Sequence, residues 1–145
     1  MLPSLKACCQ VMLTKSLLVL NKIWFWAAVF WTVFVTVICL ITFPELPEVS
    51  VDSADKYVHA SIHFLFTVFW ALHFRSKGNW TLSRTLTAVF IMSVAFGISI
   101  EIAQNFLTDT RTADVRDIAA NSAGALLGIL SILFYDRTCG KSLIV

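Results

Sequence analysis

The stretch from Glu101 to Gly128 reads EIAQNFLTDTRTADVRDIAANSAGALLG, and it places a short polar turn between two apolar segments. On a helix that follows the turn, polar and small residues recur at steps of three and four. This spacing puts the following residues on one helical face: Asp114, Asp117, Asn121, Gly124 and Gly128. Glu101 and Gln104, three residues apart, likewise share a face of the preceding helix. Arg111 lies in the turn itself, so positive and negative side chains converge on one turn between two helices.

The composition of the whole chain is that of a membrane protein. Of the 145 residues, 58% are hydrophobic and only 14% are charged, and the mean hydropathy is +0.80. Soluble domains carry about 25% charged residues. The net charge of +2 and the lack of a dense Lys/Arg cluster argue against nucleic-acid binding.

The apolar runs predict an all-α fold, a four-helix transmembrane bundle that forms a single domain over residues 1–145. A spanning helix needs about 20 apolar residues. The predicted spans are approximately 23–43, 57–74, 85–107 and 118–135, and Pro44 and Pro47 are expected to end the first. Residues 1–21 carry Lys6 and Lys15 among apolar residues, which favours a separate interfacial amphipathic segment.

The distribution of lysine and arginine predicts the orientation. Basic residues concentrate in both terminal tails and in the second loop, whereas the first loop has Lys56 among four acidic residues. Because cytoplasmic segments carry the excess of Lys and Arg, both termini are expected in the cytoplasm. The start of span two, the end of span three and the start of span four then lie on the outer side of the membrane.

This topology brings nine polar residues to one membrane face, where we expect a ligand-binding pocket. An ionisable residue at the middle of a span costs about 2.5–3.5 kcal/mol, so a concentration of such residues near span ends favours a function. The expected ligand-binding residues are Asp55, Lys56, His59, Glu101, Gln104, Arg111, Asp114, Asp117 and Asn121. The alternative is a structural polar network that only fixes the bundle.

Asp55, His59 and His63 follow one another at steps of four on span two, and a D-x-x-x-H-x-x-x-H face could ligate a metal with Glu101 or Asp117. Spacing alone is weak support, and the sequence predicts neither a bound metal nor a cofactor. His73, at the far end of the same span, is expected at the membrane interface.

Small residues below the polar set predict close helix packing. Gly124 and Gly128 form a G-x-x-x-G pattern, and Ser93 and Gly97 extend the Glu101 stripe towards the membrane centre. We expect these residues to let spans three and four meet. No nucleophile elbow, P-loop, zincin or dinucleotide motif occurs, and the serines in the spans have no evident base partner.

Three short motifs occur in a fixed order between the predicted spans. They are D-K-x-x-H at Asp55–His59, E-x-x-Q at Glu101–Gln104, and R-x-x-D-x-x-D-x-x-x-N-x-x-G at Arg111–Gly124. In this order the chain resembles the VanZ-like family over roughly residues 23–135. The family pattern requires one histidine at the start of span two, so His63 and His73 receive no role from it.

The resemblance implies a small integral membrane protein of the bacterial cell (inner) membrane. The founding member of the family is associated with resistance to the glycopeptide antibiotic teicoplanin. The resemblance supplies no reaction and does not show that this chain confers resistance.

Three hypotheses follow. In the first, an outward-facing polar pocket binds an envelope lipid head group or a lipid-linked cell-wall precursor, with Lys56 and Arg111 holding the anion. In the second, the protein is a membrane enzyme acting on a lipid head group, with His59, Glu101 and Asp117 as catalytic candidates. In the third, the protein is a non-catalytic assembly factor and the polar network is structural.

Overall fold

The structure, a computed structural model, describes residues 5–41, 52–78, 80–107 and 114–138. Within these ranges the chain forms four α-helices and no strand: α1 (Leu5–Leu40), α2 (Asp52–Ser76), α3 (Leu82–Leu107) and α4 (Val115–Thr138). Each is long and apolar enough to cross a membrane. The prediction of an all-α, four-helix, multi-pass membrane protein is confirmed.

The helices extend slightly beyond most of the predicted spans. The membrane-crossing parts are Val19–Leu40, Asp55–Ser76, Leu82–Leu107 and Val115–Thr138. The first ends at Leu40 and not at residue 43, and Pro44 and Pro47 lie outside the described residues. α1 also begins at Leu5, so the predicted interfacial segment continues into the first span without a break. Lysine is a good helix former, and its charge alone does not end a helix.

Helix α2 is the central element of the bundle. It contacts all three other helices, while α1 also packs on α3 and α3 on α4. Side-chain contacts show the ends of α1 and α3 beside the starts of α2 and α4, and we call this region the polar end. At the opposite end, Arg75 Nη2 of α2 pairs with Asp136 Oδ1 of α4 at 2.9 Å, and Ser76 Oγ donates to Asn21 Oδ1 of α1.

The G-x-x-x-G pattern of α4 packs against α2 and not against α3, contrary to the prediction. A Cβ atom at Gly124 would collide with the backbone carbonyl of Ala60. A Cβ at Gly128 would lie 3.1 Å from the Phe64 carbonyl oxygen and from Thr67 Cβ. The prediction holds better for Gly97 of α3, where a Cβ would lie 2.8 Å from the Asn121 amide nitrogen of α4. Gly124 and Gly128 thus allow close packing of α4 on α2, and Gly97 allows close packing of α3 on α4.

His73, which the sequence places at the membrane interface, lies in the last turn of α2 and is buried among other side chains. Its relative exposure is 4%, and its ring contacts Phe25, Trp70 and Phe74. Aromatic residues of α1 and α2 thus cover the far end of α2.

Large apolar side chains cover the outside of the bundle, as expected for helices surrounded by lipid acyl chains. They include residues of α1 and α4 that a soluble protein would bury: Trp26, Phe30, Leu130 and Phe134. Many polar side chains face inward instead, and several are fully buried.

Candidate functional site

His59 lies at the centre of the polar end and is 5% exposed. Its Nδ1 is 3.1 Å from Oδ1 of Asn121 on α4. An amide oxygen only accepts hydrogen bonds, so Nδ1 is the donor and carries the proton. The other ring nitrogen, Nε2, faces two carboxylates: Oδ2 of Asp55 at 3.9 Å and Oδ2 of Asp117 at 4.0 Å.

Helical spacing explains why these four side chains meet. Asp55 precedes His59 by one turn on α2, and Asp117 precedes Asn121 by one turn on α4. The two faces come together because Gly124, almost one turn beyond Asn121, lets α4 approach the α2 backbone. Of the face predicted for α4, the residues Asp117, Asn121, Gly124 and Gly128 lie against α2, whereas Asp114 precedes the helix. We call Asp55, His59 and Asp117 the His59 cluster.

Glu101 of α3 borders the His59 cluster and is only 2% exposed. Its Oε2 accepts a hydrogen bond from the backbone N–H of Asp114 at 3.2 Å. Its Oε1 is buried, and among the described residues no group bonds to it. Glu101 also lies within electrostatic range of Asp117 and His59. One carboxylate oxygen thus holds the start of α4, while the other has no partner in the described part of the protein.

Asp114 caps α4. Its Oδ1 accepts from the backbone N–H of Arg116 at 2.8 Å, and its carbonyl accepts the first helical hydrogen bonds, from Asp117 and Ile118. Aspartate is a favoured N-cap because it satisfies one of the donors that a helix start leaves open. Asp114 was predicted to bind a ligand, and the structure engages its carboxylate in this cap.

Gln104 contacts a different helix from Glu101, although both are buried on α3. Its Nε2 donates to the carbonyl oxygen of Cys39 at 3.0 Å, close to the last residue of α1. The final carbonyls of a helix lack partners within the helix, so Gln104 ties the ends of α1 and α3 together. Gln104 was predicted to bind a ligand, and in the structure its side-chain amide bonds to the backbone of α1.

Lys56 and Arg111 are the two cations of the expected pocket, and the structure describes only Lys56. Lys56 is half-buried and lies within electrostatic range of Asp117. Arg111 lies outside the described residues, so its predicted role as an anion ligand stays a prediction. Arg116, which follows the cap of α4, is exposed.

Of the predicted set, the structure joins four residues directly and places Lys56, Glu101, Gln104 and Asp114 near them, while Arg111 lies outside the described residues. The direct group is Asp55, His59, Asp117 and Asn121. Glu101 and Asp114 form a second, adjoining contact. In the described part of this region the oxygen and nitrogen acceptors outnumber the cations, so the His59 cluster is suited to bind groups that donate hydrogen bonds or carry positive charge.

His63 does not join the His59 cluster, although the D-x-x-x-H-x-x-x-H spacing allowed it. Its Nδ1 lies 2.8 Å from Ser93 Oγ on α3, and both residues are buried. Sequence reasoning found no base partner for Ser93 because the two residues are 30 positions apart. The only available signal was that both belong to inward-facing polar stripes.

Comparison with known proteins assigns the chain to a family. The sequence profile of the VanZ/LLP1 family matches residues 11–136, which is most of the chain and includes the first three spans and all but the last two residues of the fourth. Neither the search of curated proteins nor the search of solved structures returned a match. The family match agrees with the order of the three motifs and with the four membrane-crossing helices that carry them. The chain belongs to the VanZ/LLP1 family.

Proposed function

We propose that this protein binds the head group of an envelope lipid, or of a lipid-linked cell-wall precursor, at its polar end. The observation that carries the proposal is the His59 cluster. Side chains from two helices converge on His59, which is almost fully buried, while Asp55 on its rim is half exposed, at 50% of its side-chain surface. A site that is buried at its base and open at its rim suits a head group that enters from the membrane surface.

The cations and the carboxylates would bind different parts of such a head group. Lys56, with Arg111 from the adjacent turn, would hold phosphate oxygens through charge-assisted hydrogen bonds. The carboxylates of Asp55 and Asp117 would accept hydrogen bonds from sugar hydroxyl or amine groups, which lipid-linked envelope precursors carry. Asn121 would keep His59 in one orientation.

An apolar groove beside the polar end offers a place for the acyl chain of the same lipid. The groove has a volume of about 260 Å³ and runs between α1 and α2. Its lining residues are Trp31, Tyr57, Val58, Ser61, Ile62 and Leu65. Tyr57 follows Lys56 directly, so a lipid with its phosphate near Lys56 would have its chain at the mouth of this groove.

The proposed orientation has the polar end on the outer side of the bacterial inner membrane and both termini in the cytoplasm. The opposite end carries Arg75, Lys77, Arg84 and Arg137, whereas carboxylates predominate among the described residues at the polar end. An excess of Lys and Arg is typical of the cytoplasmic side. Envelope precursors are assembled into the wall outside this membrane, so the polar end would face them there.

Native mass spectrometry of the purified protein tests the proposal. Wild type is compared with Asp117→Asn, which removes a charge from the His59 cluster, and with Asp136→Asn, a matched change at the opposite end. We expect wild type and Asp136→Asn to retain the same lipid and Asp117→Asn to lose it, with thermal unfolding confirming that all three fold. Equal retention by all three proteins contradicts the proposal.

A membrane enzyme acting on a lipid head group is the second candidate, and one observation favours it. The Nδ1–H to Asn121 bond leaves the Nε2 lone pair of His59 directed at the cluster, where it could act as a general base, with Glu101 or Asp117 as acid–base partners. Incubating the protein with labelled envelope lipids distinguishes the two. Product formation that is lost in His59→Gln supports catalysis, and intact lipid supports binding alone.

A further inference from the structure

We propose that the His59 cluster is a binding site for a divalent transition-metal cation such as Zn²⁺, with Asp55, His59 and Asp117 as its three protein ligands. One ligand atom from each residue lies within 4.8 Å of the others. One imidazole nitrogen and two carboxylate oxygens are ligands that zinc accepts. This proposal departs from the sequence-based expectation of no metal, which considered a different set that included His63.

The tautomer of His59 is the first independent observation that points to a cation. Because Nδ1 donates to Asn121, a neutral His59 ring presents a bare lone pair at Nε2. That lone pair faces Asp55 and Asp117 at 3.9 and 4.0 Å and receives no hydrogen bond from any residue in the described ranges. Three acceptors that face one another, two of them largely buried, repel unless a positive charge lies between them.

The hydrogen bond between His59 and Asn121 resembles those that position metal-binding histidines. A metal-binding histidine commonly donates its second ring N–H to a carboxylate or carbonyl oxygen, which fixes the tautomer and aims the metal-binding nitrogen. Asn121 is 2% exposed and lies on α4, so it holds the ring of α2 from the neighbouring helix.

Glu101 is the second independent observation. It is a buried carboxylate beside the cluster, and its Oε1 has no hydrogen-bond partner among the side chains and backbone groups that the structure describes. A buried acceptor without a partner is costly, and a nearby cation with its bound water would relieve that cost.

The ligand atoms must move closer together to bind the ion. With bonds of about 2.1 Å in tetrahedral geometry, two zinc ligand atoms lie roughly 3.4 Å apart. The Nε2-to-carboxylate distances are 3.9 and 4.0 Å, so each must shorten by about half an ångström. The two carboxylate oxygens lie within 4.8 Å of each other, so their separation must shorten by up to about 1.4 Å. Asp55 is half exposed near the start of α2, so its side chain has room for this movement. Three protein ligands leave a fourth position for water or for an anionic oxygen.

Titration with Zn²⁺ alone tests the site without reference to any lipid. The protein is purified without a histidine tag, stripped with a chelator and titrated in detergent by calorimetry. We expect one Zn²⁺ per chain. Asp55→Asn should weaken binding by at least tenfold, and Asn121→Ala, which removes the bond that positions His59, should weaken it by about 10–100-fold. His63→Gln, one turn further along α2, should bind like wild type.

Two results overturn the proposal. One is a wild-type protein that binds no stoichiometric Zn²⁺, which would mean that a proton on His59 supplies the positive charge. The other is binding that Asp55→Asn and Asn121→Ala leave unchanged, which would place the ion elsewhere in the chain. Because Asp55 is half exposed at a helix start, its substitution should not unfold the bundle, and thermal unfolding of each variant checks this. Neither result bears on lipid retention, which is measured separately.

Discussion

At the scale of single residues, several inward-facing polar side chains of the bundle form hydrogen bonds between helices. Within the membrane, hydrogen bonds between helices replace those that water would supply, and each contributes about 0.6–2 kcal/mol. His59 with Asn121 and His63 with Ser93 are two such bonds, one turn apart along α2. The same helix therefore contributes one histidine to the candidate site and another to the packing core.

The bond between His63 and Ser93 predicts a loss of stability on substitution. Ser93→Ala leaves Nδ1 of His63 buried without its hydrogen-bond partner and should lower the free energy of unfolding by about 1–2 kcal/mol. Ser99→Ala is the matched control, because Ser99 is exposed on the same helix and bonds only to the Ala95 carbonyl. Thermal unfolding in detergent measures the difference. Equal melting temperatures for the two variants would show that the interhelical bond contributes nothing.

At the scale of helices, the contact between α2 and α4 positions the candidate site. Small residues let these helices approach until backbone atoms of α2 touch α4, and the side chains of His59 and Asn121 then meet just beyond the point of contact. The cap at Asp114 and the bond from its N–H to Glu101 fix where α4 starts. Packing and capping together set the register of the site.

Enlarging Gly124 should separate α2 from α4. A Cβ at this position overlaps the Ala60 carbonyl, so Gly124→Val should destabilise the bundle by about 1–3 kcal/mol or more, as overpacking does. Ala123→Val puts the same side chain on the exposed side of the same turn and serves as the control. Thermal unfolding in detergent compares the two. If Ala123→Val destabilises as strongly, the effect belongs to valine in a helix and not to the contact with α2.

At the scale of the whole molecule, alternating helix direction gathers the functional motifs at one end. Residues separated by up to 65 positions meet there because two helices end and two begin at the same level. The opposite end is held by the Arg75–Asp136 ion pair and by aromatic packing around His73. The two ends thus differ in chemistry.

The sequence predicted the four spans, the shared face of α4 and the end at which the polar residues meet. Those features follow from the length of apolar runs and from helical periodicity, which are local properties. Which helices touch is not local: the glycines of α4 look the same in sequence whether they face α2 or α3. The partner of Ser93 and the different partners of Glu101 and Gln104 also depend on how the helices are arranged. The cap at Asp114 was not predicted, although an aspartate before an apolar helical run is typical of an N-cap.

The proposed orientation predicts which end of the molecule is accessible from outside the cell. In a background with the four native cysteines replaced by serine, Arg116→Cys at the polar end should react with a membrane-impermeant maleimide in intact cells. Lys77→Cys at the opposite end should react only after the cells are permeabilised. Both positions are exposed in the structure, so burial does not limit either reaction. The reverse labelling pattern would place the polar end in the cytoplasm.

The measurement that tests the central claim most directly compares His59→Gln with His63→Gln by native mass spectrometry of bound lipids. Both changes remove a buried histidine from α2, and the two positions are one turn apart. If the polar end is the binding site, His59→Gln loses the lipid that wild type retains, while His63→Gln keeps it. If both variants retain the lipid, or if both lose it while remaining folded, the His59 cluster is not the site that selects the head group.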